Sequence, residues 1–405
     1  MKYFKIIFSD KYYFSILATL PFYLIIILLL KFSNLFTTIR FYQIRSNRIG
    51  HFSIMPELFL TRKKTKKNLN QLDIFCFDEE ICNKFLKKAW SRNFLILPRM
   101  IIFPIIFWLK KFKMKKNLIP REEFFAKDIE NLLDFSEPNI KFTTNEKELG
   151  AKLLEELGIK KNEKYVCFSV RDDEYLKKTS SGDYQYHSYR NTNVKNFKLV
   201  AEYLNSKNIK VVRVGSIAQD KLNFKNDKII DYPFSHQRSD FMDIYIIANC
   251  YFYIGGGPGI DSIPILFRKP KLQTNLVPIL GTTCELKKVM TIFKHHYCEK
   301  LKRNLSIKEI ISENMDNVHH TDKFKDKKIK LIENSPKEIL DATSDLLELV
   351  EDEDNFVKKI NQLDQKTFWS IFPLKKKNKE NIPLHGQVRG MISPSFLKNN
   401  NYLLN

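Results

Sequence analysis

Four of the chain's 12 glycines fall within five positions, at Gly255, Gly256, Gly257 and Gly259. An apolar run at 251–254 precedes them and a helical pattern at 260–267 follows. Backbone without Cβ atoms lets a phosphate approach N–H donors, and a helix start behind it adds partial positive charge. The spacing matches neither GxGxxG nor a Walker A loop, so a tight strand-to-helix turn is the competing reading. Arg171 and Asp172 follow a second apolar run, at 165–170. A guanidinium there offers a planar fork for phosphate oxygens. The segment 183–191 then sets His187, Tyr189, Arg190 and Asn191 in one polar, aromatic loop. Such a loop supplies a ring to stack on a base or sugar, a second guanidinium, and an amide for hydroxyls. An ordinary solvated loop is the alternative.

Nearer the N-terminus, Gly50-His51 follows an apolar segment at 39–44, with the carboxylate of Glu57 close in sequence. A glycine there lets a substrate approach the backbone, and an imidazole can act as general base for a hydroxyl. A lone histidine also serves structure. The pairs His295-His296 and His319-His320 are chain neighbours that do not face one metal, and they are assigned no site. The one Asp-x-Asp, Asp352-Glu353-Asp354, lies in an acidic run after the helical pattern at 336–350 and not at a strand end, so no metal site is expected and protein cations would neutralise a departing phosphate.

The elements that must position these residues are strands alternating with helices. Strands are predicted at 39–44, 72–77, 94–97, 165–170, 209–214, 229–230, 251–254, 271–274 and 329–332. Helices are predicted at 194–206, 241–248, 260–267 and 336–350, the last with Ser335 as cap and Pro336 in its first turn. This alternation implies βαβ units and parallel sheets, which bind ligands at the carboxyl ends of their strands. Arg171, Gly215, the glycine cluster and Asn275 all fall at such ends.

Length and patterning divide the chain into a hydrophobic N-terminal helix at 1–34, α/β domains at 35–155 and 156–352, and a Lys-rich extension at 353–405. The formal charge of +22 suits anionic lipid headgroups or phosphorylated substrates. Nucleic acid is not expected, because zinc-finger spacing, an RNA-binding signature and an Arg-rich recognition helix are all missing. The six cysteines form no CxxC pair and read as small buried hydrophobes in a reducing compartment. The uncharged run 12–30 is long enough for a membrane anchor, although Pro21 interrupts it. A second apolar stretch at 100–109, followed by Lys110, Lys111, Lys113, Lys115 and Lys116, is too short to span. It reads either as a helix dipping into an anionic membrane surface or as a buried helix with a basic end.

Six stretches together resemble a family of bacterial glycosyltransferases associated with surface-polysaccharide synthesis. They are Arg48-Ile49-Gly50-His51-Phe52 with Glu57, Val170-Arg171-Asp172, His187-Ser188-Tyr189-Arg190-Asn191, Val212-Arg213-Val214-Gly215, Asn334-Ser335-Pro336, and Ile392-Ser393-Pro394-Ser395-Phe396-Leu397. The resemblance covers most of the chain after Ile39. It implies a GT-B-like α/β architecture of two Rossmann-like domains facing a cleft, the acceptor meeting the first and a nucleotide-sugar the second. It sets Gly50, His51 and Glu57 on the acceptor side and Arg171 at the donor phosphates. Asp172, His187, Tyr189, Arg190, Asn191, Arg213, Gly215, Gly255, Gly256, Gly257, Gly259 and Asn275 would complete the donor side, His51 and Arg171 being catalytic. The glycine cluster is richer than the family's pattern. The nucleotide-sugar is a substrate, and no cofactor is implied. The implied partners are that donor, a glycan or lipid-linked acceptor and an anionic membrane surface. The implied location is the bacterial inner membrane, with the catalytic domains facing the cytoplasm. Two other classes remain open: a non-catalytic interaction protein on the same fold, and another enzyme such as a sugar-nucleotide epimerase or polysaccharide pyruvyl transferase.

Overall fold

The computed structural model describes residues 20–66, 70–171, 185–215, 221–222, 226, 228–257, 259–378 and 380–405. The chain divides into two compact units, Met1–Ala126 and Lys127–Asn405.

In chain order the first unit comprises α1 (Leu20–Ser33), β1 (Thr38–Ile44), α2 (Ile49–Lys66), β2 (Gln71–Phe77), α3 (Lys84–Ser91), β3 (Leu95–Ile96) and α4 (Arg99–Lys111). The strands form one parallel sheet in the order β1-β2-β3. Strand alternation gives its two faces different partners. Ile39, Phe41, Ile74 and Cys76 meet α1 and α4 through Tyr23, Ile27, Leu30, Ile102, Ile105 and Leu109. On the other face Phe75 packs edge-on against Phe59 of α2 at 5.5 Å and against Phe94 at 4.7 Å. The buried Arg40 pairs there with Asp73 at 2.8 Å, and Lys63 of α2 reaches the same carboxylate at 2.6 Å. Coverage on both faces is what a parallel sheet requires.

Of the hydrophobic segment 1–34, the described residues Leu20–Ser33 form α1. The first part of the run 12–30 lies outside the described residues. Among the described residues, no helix is long and apolar enough to cross a membrane. For the stretch 100–109, the inner face of α4 is buried while Met100 and Ile101 stay exposed.

The second unit opens with α5 (Thr144–Glu156), β4 (Tyr165–Ser169), α6 (Lys198–Ser206), β5 (Lys210–Arg213), β6 (Ile229–Asp231), α7 (Asp240–Asn249) and β7 (Tyr253–Gly255). It continues with α8 (Ser262–Leu266), β8 (Lys271–Leu276), β9 (Val289–Phe293), β10 (His295–Cys298), β11 (Arg303–Asn304), α9 (Ile307–Ser312) and α10 (Thr321–Asp326). It ends with β12 (Ile329–Ile332), α11 (Pro336–Glu351), α12 (Glu353–Lys359), α13 (Gln362–Ile371), β13 (Met391–Ile392) and α14 (Pro394–Asn399). Seven strands form a parallel sheet ordered β13-β9-β8-β7-β4-β5-β6. From the unit's first strand, β4, the chain builds outward through β5 and β6, then returns to β7 on the other side and builds outward again. This is the doubly wound order, with its switch point between β4 and β7. Helix α11 begins at a capping box in which Ser335 and Glu338 bond each other's backbone N–H.

Three expectations differ from the structure. The boundary falls at 126/127 rather than 155/156, because Lys127 donates to Thr282 O at 2.9 Å and Phe142 stacks on Phe267 at 5.6 Å, both partners in the second unit. Strand 329–332 leaves the parallel sheet and pairs antiparallel with β10 in a separate three-stranded sheet. Segment 353–405 is integral rather than an extension: β13 is the seventh strand, and Phe368, Ile392, Phe396 and Leu397 are buried in the main core.

Candidate functional site

The switch point brings the carboxyl ends of β4 and β7 side by side, Ser169 being registered with Gly255. Segment 190–192 lies across these ends. The amide of Thr192 donates to Arg171 O at 3.0 Å. The Arg190 guanidinium donates to Gly257 O. Lys294, one residue past β9, donates to Asn191 O at 2.5 Å. Arg171, Arg190 and Lys294 therefore gather at one end of the sheet. Lys294 is buried, and loss of solvent lowers its ammonium from 10.5 to about 8, against the pull of Glu333. Glu333 also holds the same segment, accepting from Asn193 N at 2.9 Å and the Asn196 amide at 3.0 Å. Two buried polar atoms nearby, Thr192 Oγ1 and Asn275 Nδ2, have no hydrogen-bond partner among the described residues. Such groups usually serve a ligand or water.

The glycine cluster does something other than cradle phosphate with every N–H. A Cβ on Gly255 would stand 2.4 Å from the Asp261 carboxylate. That carboxylate accepts from Ser169 Oγ, Tyr253 Oη and Gly257 N, each at 2.8 Å. Lys271 of β8 donates to Asp261 O at 2.9 Å. Asp261 thus ties β4, β7 and β8 together, and the Gly257 N–H is spent on it. Gly257 itself needs a left-handed φ of +94°. The helix behind the loop, α8, has only five residues, so the expected helix-end charge is slight. Gly256 has room, with the nearest atoms to a Cβ at 3.6 Å, on Thr192 and Thr274.

Other expected donor residues are occupied elsewhere. Tyr189 is buried, its N–H on Thr321 at 3.2 Å and its ring beside Phe324, so it cannot stack on a base. The His319-His320 segment supports this loop: His320 stacks on Tyr186 and His319 lies 3.5 Å from the Tyr189 hydroxyl. Arg213 is buried in an ion pair with Asp231 at 3.1 Å. Asn275, at φ 52°, exchanges side-chain and backbone bonds with Asn334, each 2.6 Å. Gly215 follows β5 at φ 144°. Asp172 and the His187 side chain lie outside the described residues. Gly259 starts a short 3-10 turn that includes Asp261.

Solved structures that align with the chain at low identity include the following. Escherichia coli ADP-heptose lipopolysaccharide heptosyltransferase II aligns at 11% identity and TM-score 0.42, covering 77% of this chain and all of that one. A family 9 glycosyl transferase from Veillonella parvula aligns at 10% and 0.45, covering 76% and 96%. A UDP-GlcNAc 2-epimerase from Methanocaldococcus jannaschii aligns at 12% and 0.35, covering 76% and 99%. Likeness of this degree concerns chain course and not chemistry. No family model matches the sequence, and neither does any curated protein.

In the first unit, Gly50 and His51 occupy the opening turn of α2, which carries no acidic residue. Burial lowers His51 from 6.5 to about 4, and Arg45, Arg48 and Arg121 push the same way. The ring is therefore neutral at physiological pH. Glu57 is fully buried on another side of α2, so the helix does not bring it to His51. The three arginines are exposed, and the sequence reading missed them as a group. Arg45 and Arg48 stand just before His51, whereas Arg121 is remote in sequence and only the fold brings it to the imidazole. Lys294 was missed for that reason, and Thr192 and Asp261, though beside flagged stretches, take their roles from the remote partners Arg171 and Ser169.

Proposed function

We infer that this chain is a glycosyltransferase that takes a sugar from a nucleotide-sugar donor and passes it to a surface-glycan or lipid-linked acceptor. The observation that carries this reading is the convergence of Arg171, Arg190 and Lys294 at the switch point of a doubly wound sheet, the place where such sheets bind nucleotides. In the transfer, the bond from the sugar's anomeric carbon to the diphosphate breaks and a bond to the acceptor oxygen forms. Charge builds on the departing nucleoside diphosphate, and three fixed cations stabilise that charge more than the ground state. The acceptor hydroxyl loses its proton, and His51 is held in the neutral state that a base requires. Arg45, Arg48 and Arg121 around it suit an acceptor that carries phosphate. The cations take the role a metal would play at the diphosphate, so transfer proceeds without added Mg²⁺.

Membrane contact belongs to the same reading. Phe22, Ile25, Leu29, Phe32 and Phe36 recur at three- and four-residue spacing and are mostly exposed, opposite the buried Tyr23, Ile27 and Leu30. The exposed Lys31, Lys110, Lys111, Lys113, Lys115 and Lys116 belong to α1, α4 and the segment just after α4. An apolar stripe edged with ammonium groups suits the surface of an anionic bilayer. We place the protein at the cytoplasmic face of a bacterial inner membrane on this basis.

The test is a melting-temperature screen against ADP, UDP, GDP and their sugar conjugates, followed by turnover with an acceptor extract. Stabilisation by one nucleoside diphosphate, and its release only when acceptor is present, is the expected result. Conversion of the nucleotide-sugar without acceptor indicates an epimerase. No nucleotide binding at all leaves the interaction-protein reading and removes this one.

A further inference from the structure

Away from the switch point, at the amino ends of β9 and β13, three buried side chains meet. Cys284 and Glu285 lie in the loop between β8 and β9, and His385 lies in the segment leading to β13. Adjacent side chains on a strand point to opposite faces, but this loop is irregular and turns both inward. His385 Nδ1 is 3.5 Å from Cys284 Sγ and 3.3 Å from Glu285 Oε1. The three atoms all lie within 4.8 Å of one another.

The carboxylate and the ring stand at ion-pair distance, without the alignment of a good hydrogen bond. Glu285 Oε1 is buried and has no hydrogen-bond partner among the described residues. One ring nitrogen is approached by both a sulfur and a carboxylate oxygen, which clusters three ligand atoms of zinc-binding type in one buried place. A tetrahedral zinc with bonds of about 2.0–2.3 Å sets its ligand atoms roughly 3.3–3.6 Å apart. Both measured separations fall in that range.

The backbone on each side is fixed as a ligand cradle requires. Asn131 donates to Glu285 O at 2.9 Å and to Gln387 O at 2.7 Å, and accepts from Gln387 N at 2.7 Å. The amides of Arg389 and Gly390 donate to Cys284 O at 2.7 and 2.9 Å. Lys127, the nearby cation, is anchored on Thr282 O at 2.9 Å. The two ligand-bearing segments are thus locked together before any ion arrives.

We propose that Cys284, Glu285 and His385 bind one divalent cation of the zinc class. Three protein ligands leave the fourth tetrahedral position to a solvent molecule. On binding, the Cys284 thiol gives its proton to solvent and the thiolate bonds the ion. The site lies at the opposite end of the sheet from the donor cations, so its role is to fasten the last segment of the chain to the β8–β9 loop. It departs from the reading of every cysteine as an inert hydrophobe, and does not depend on the transferase reading.

The experiment uses the full chain, purified without chelator. Elemental analysis should find about one zinc per chain, or the metal-free protein should take up one equivalent of added Zn²⁺ and melt at a higher temperature. Replacement by Co²⁺ should give a thiolate-to-metal charge-transfer band. Cys284→Ala should abolish the band, and His385→Gln should weaken metal uptake by at least roughly 10–100-fold, the scale for losing a group that only supports a ligand. Cys82→Ser, in the other unit, should change neither. A wild-type protein that carries no metal, gains no stability from Zn²⁺ and shows no Co²⁺ band overturns the site, whether or not the variants fold.

Discussion

Lys294 has two opposed effects that one substitution separates. Its ammonium is held near 8 by burial, below the ordinary 10.5. Between those values the unfolded chain binds more protons than the folded one, so this group's contribution to stability improves as pH rises from 8 toward 10.5. Donor affinity should move the other way and fall as pH passes 8, because the cation is lost. Lys294→Met should raise the melting temperature of the ligand-free protein, yet weaken nucleoside diphosphate binding about 10–100-fold, the scale of one charge-assisted hydrogen bond. Titration calorimetry and melting curves on the same sample check both, and unchanged affinity removes Lys294 from the site. Arg171→Ala should lower turnover by roughly 10²–10³-fold, and Arg171→Lys should restore part of it. Near-normal turnover in a folded Arg171→Ala protein excludes the role. The glycines offer a sharper contrast: Gly255→Ala collides with Asp261 and should cost about 1–3 kcal/mol, while Gly256→Ala should be tolerated. Equal melting temperatures for the two contradict the packing argument. Sequence located Arg171, Arg190 and the glycine loop because each sits at a strand's carboxyl end. It could not see that Tyr189 and Arg213 turn inward, since their burial depends on partners such as Thr321 and Asp231 that are remote in the chain.

Helix α11 depends on Glu338 at its first turn. Burial alone would raise this carboxyl, but bonds from His295, Ser335 N and Asn400 outweigh it and bring it to about 2. A carboxyl lowered on folding contributes stability that is present above its ordinary 4.5 and is lost as pH falls toward 2. Glu338→Gln should lose that contribution at neutral pH and flatten the acid limb of a stability–pH curve. An unchanged acid limb contradicts the assignment. The strand order up to β8 was legible because buried parallel strands read as short apolar runs, whereas the helices α2, α3 and α5 were not predicted. Strands β9, β10, β11 and β13 were not legible either. Two of them have only two residues, and β10 reads His-His-Tyr-Cys, which carries no apolar alternation. β13 exists because Gln365 bonds both its N–H and its carbonyl, at 3.2 and 2.7 Å, and because β9 offers it an edge. Neither cause is local to the residues that form the strand.

At the scale of the whole molecule, the charge of +22 and the apolar stripe of α1 act on the same target by different laws. Ionic attraction to lipid headgroups is screened by salt, whereas apolar burial is not. Sedimentation with anionic vesicles should therefore fall on adding salt without vanishing, and should be weak with neutral vesicles. Leu28→Glu with Leu29→Glu should reduce it at every salt concentration. If this double variant sediments like the wild type, α1 is not the contact. The seventh strand carries a consequence for how the protein is made. β9, with the apolar sequence Val-Met-Thr-Ile-Phe, gains its outer neighbour β13 only after about 100 further residues have been synthesised, roughly 5–20 s at 5–20 residues per second. Throughout that interval the growing chain displays an open, apolar strand edge in a crowded cell, the kind of edge that recruits other chains. The edge of β9 stays open to pairing with other chains until Met391 and Ile392 emerge.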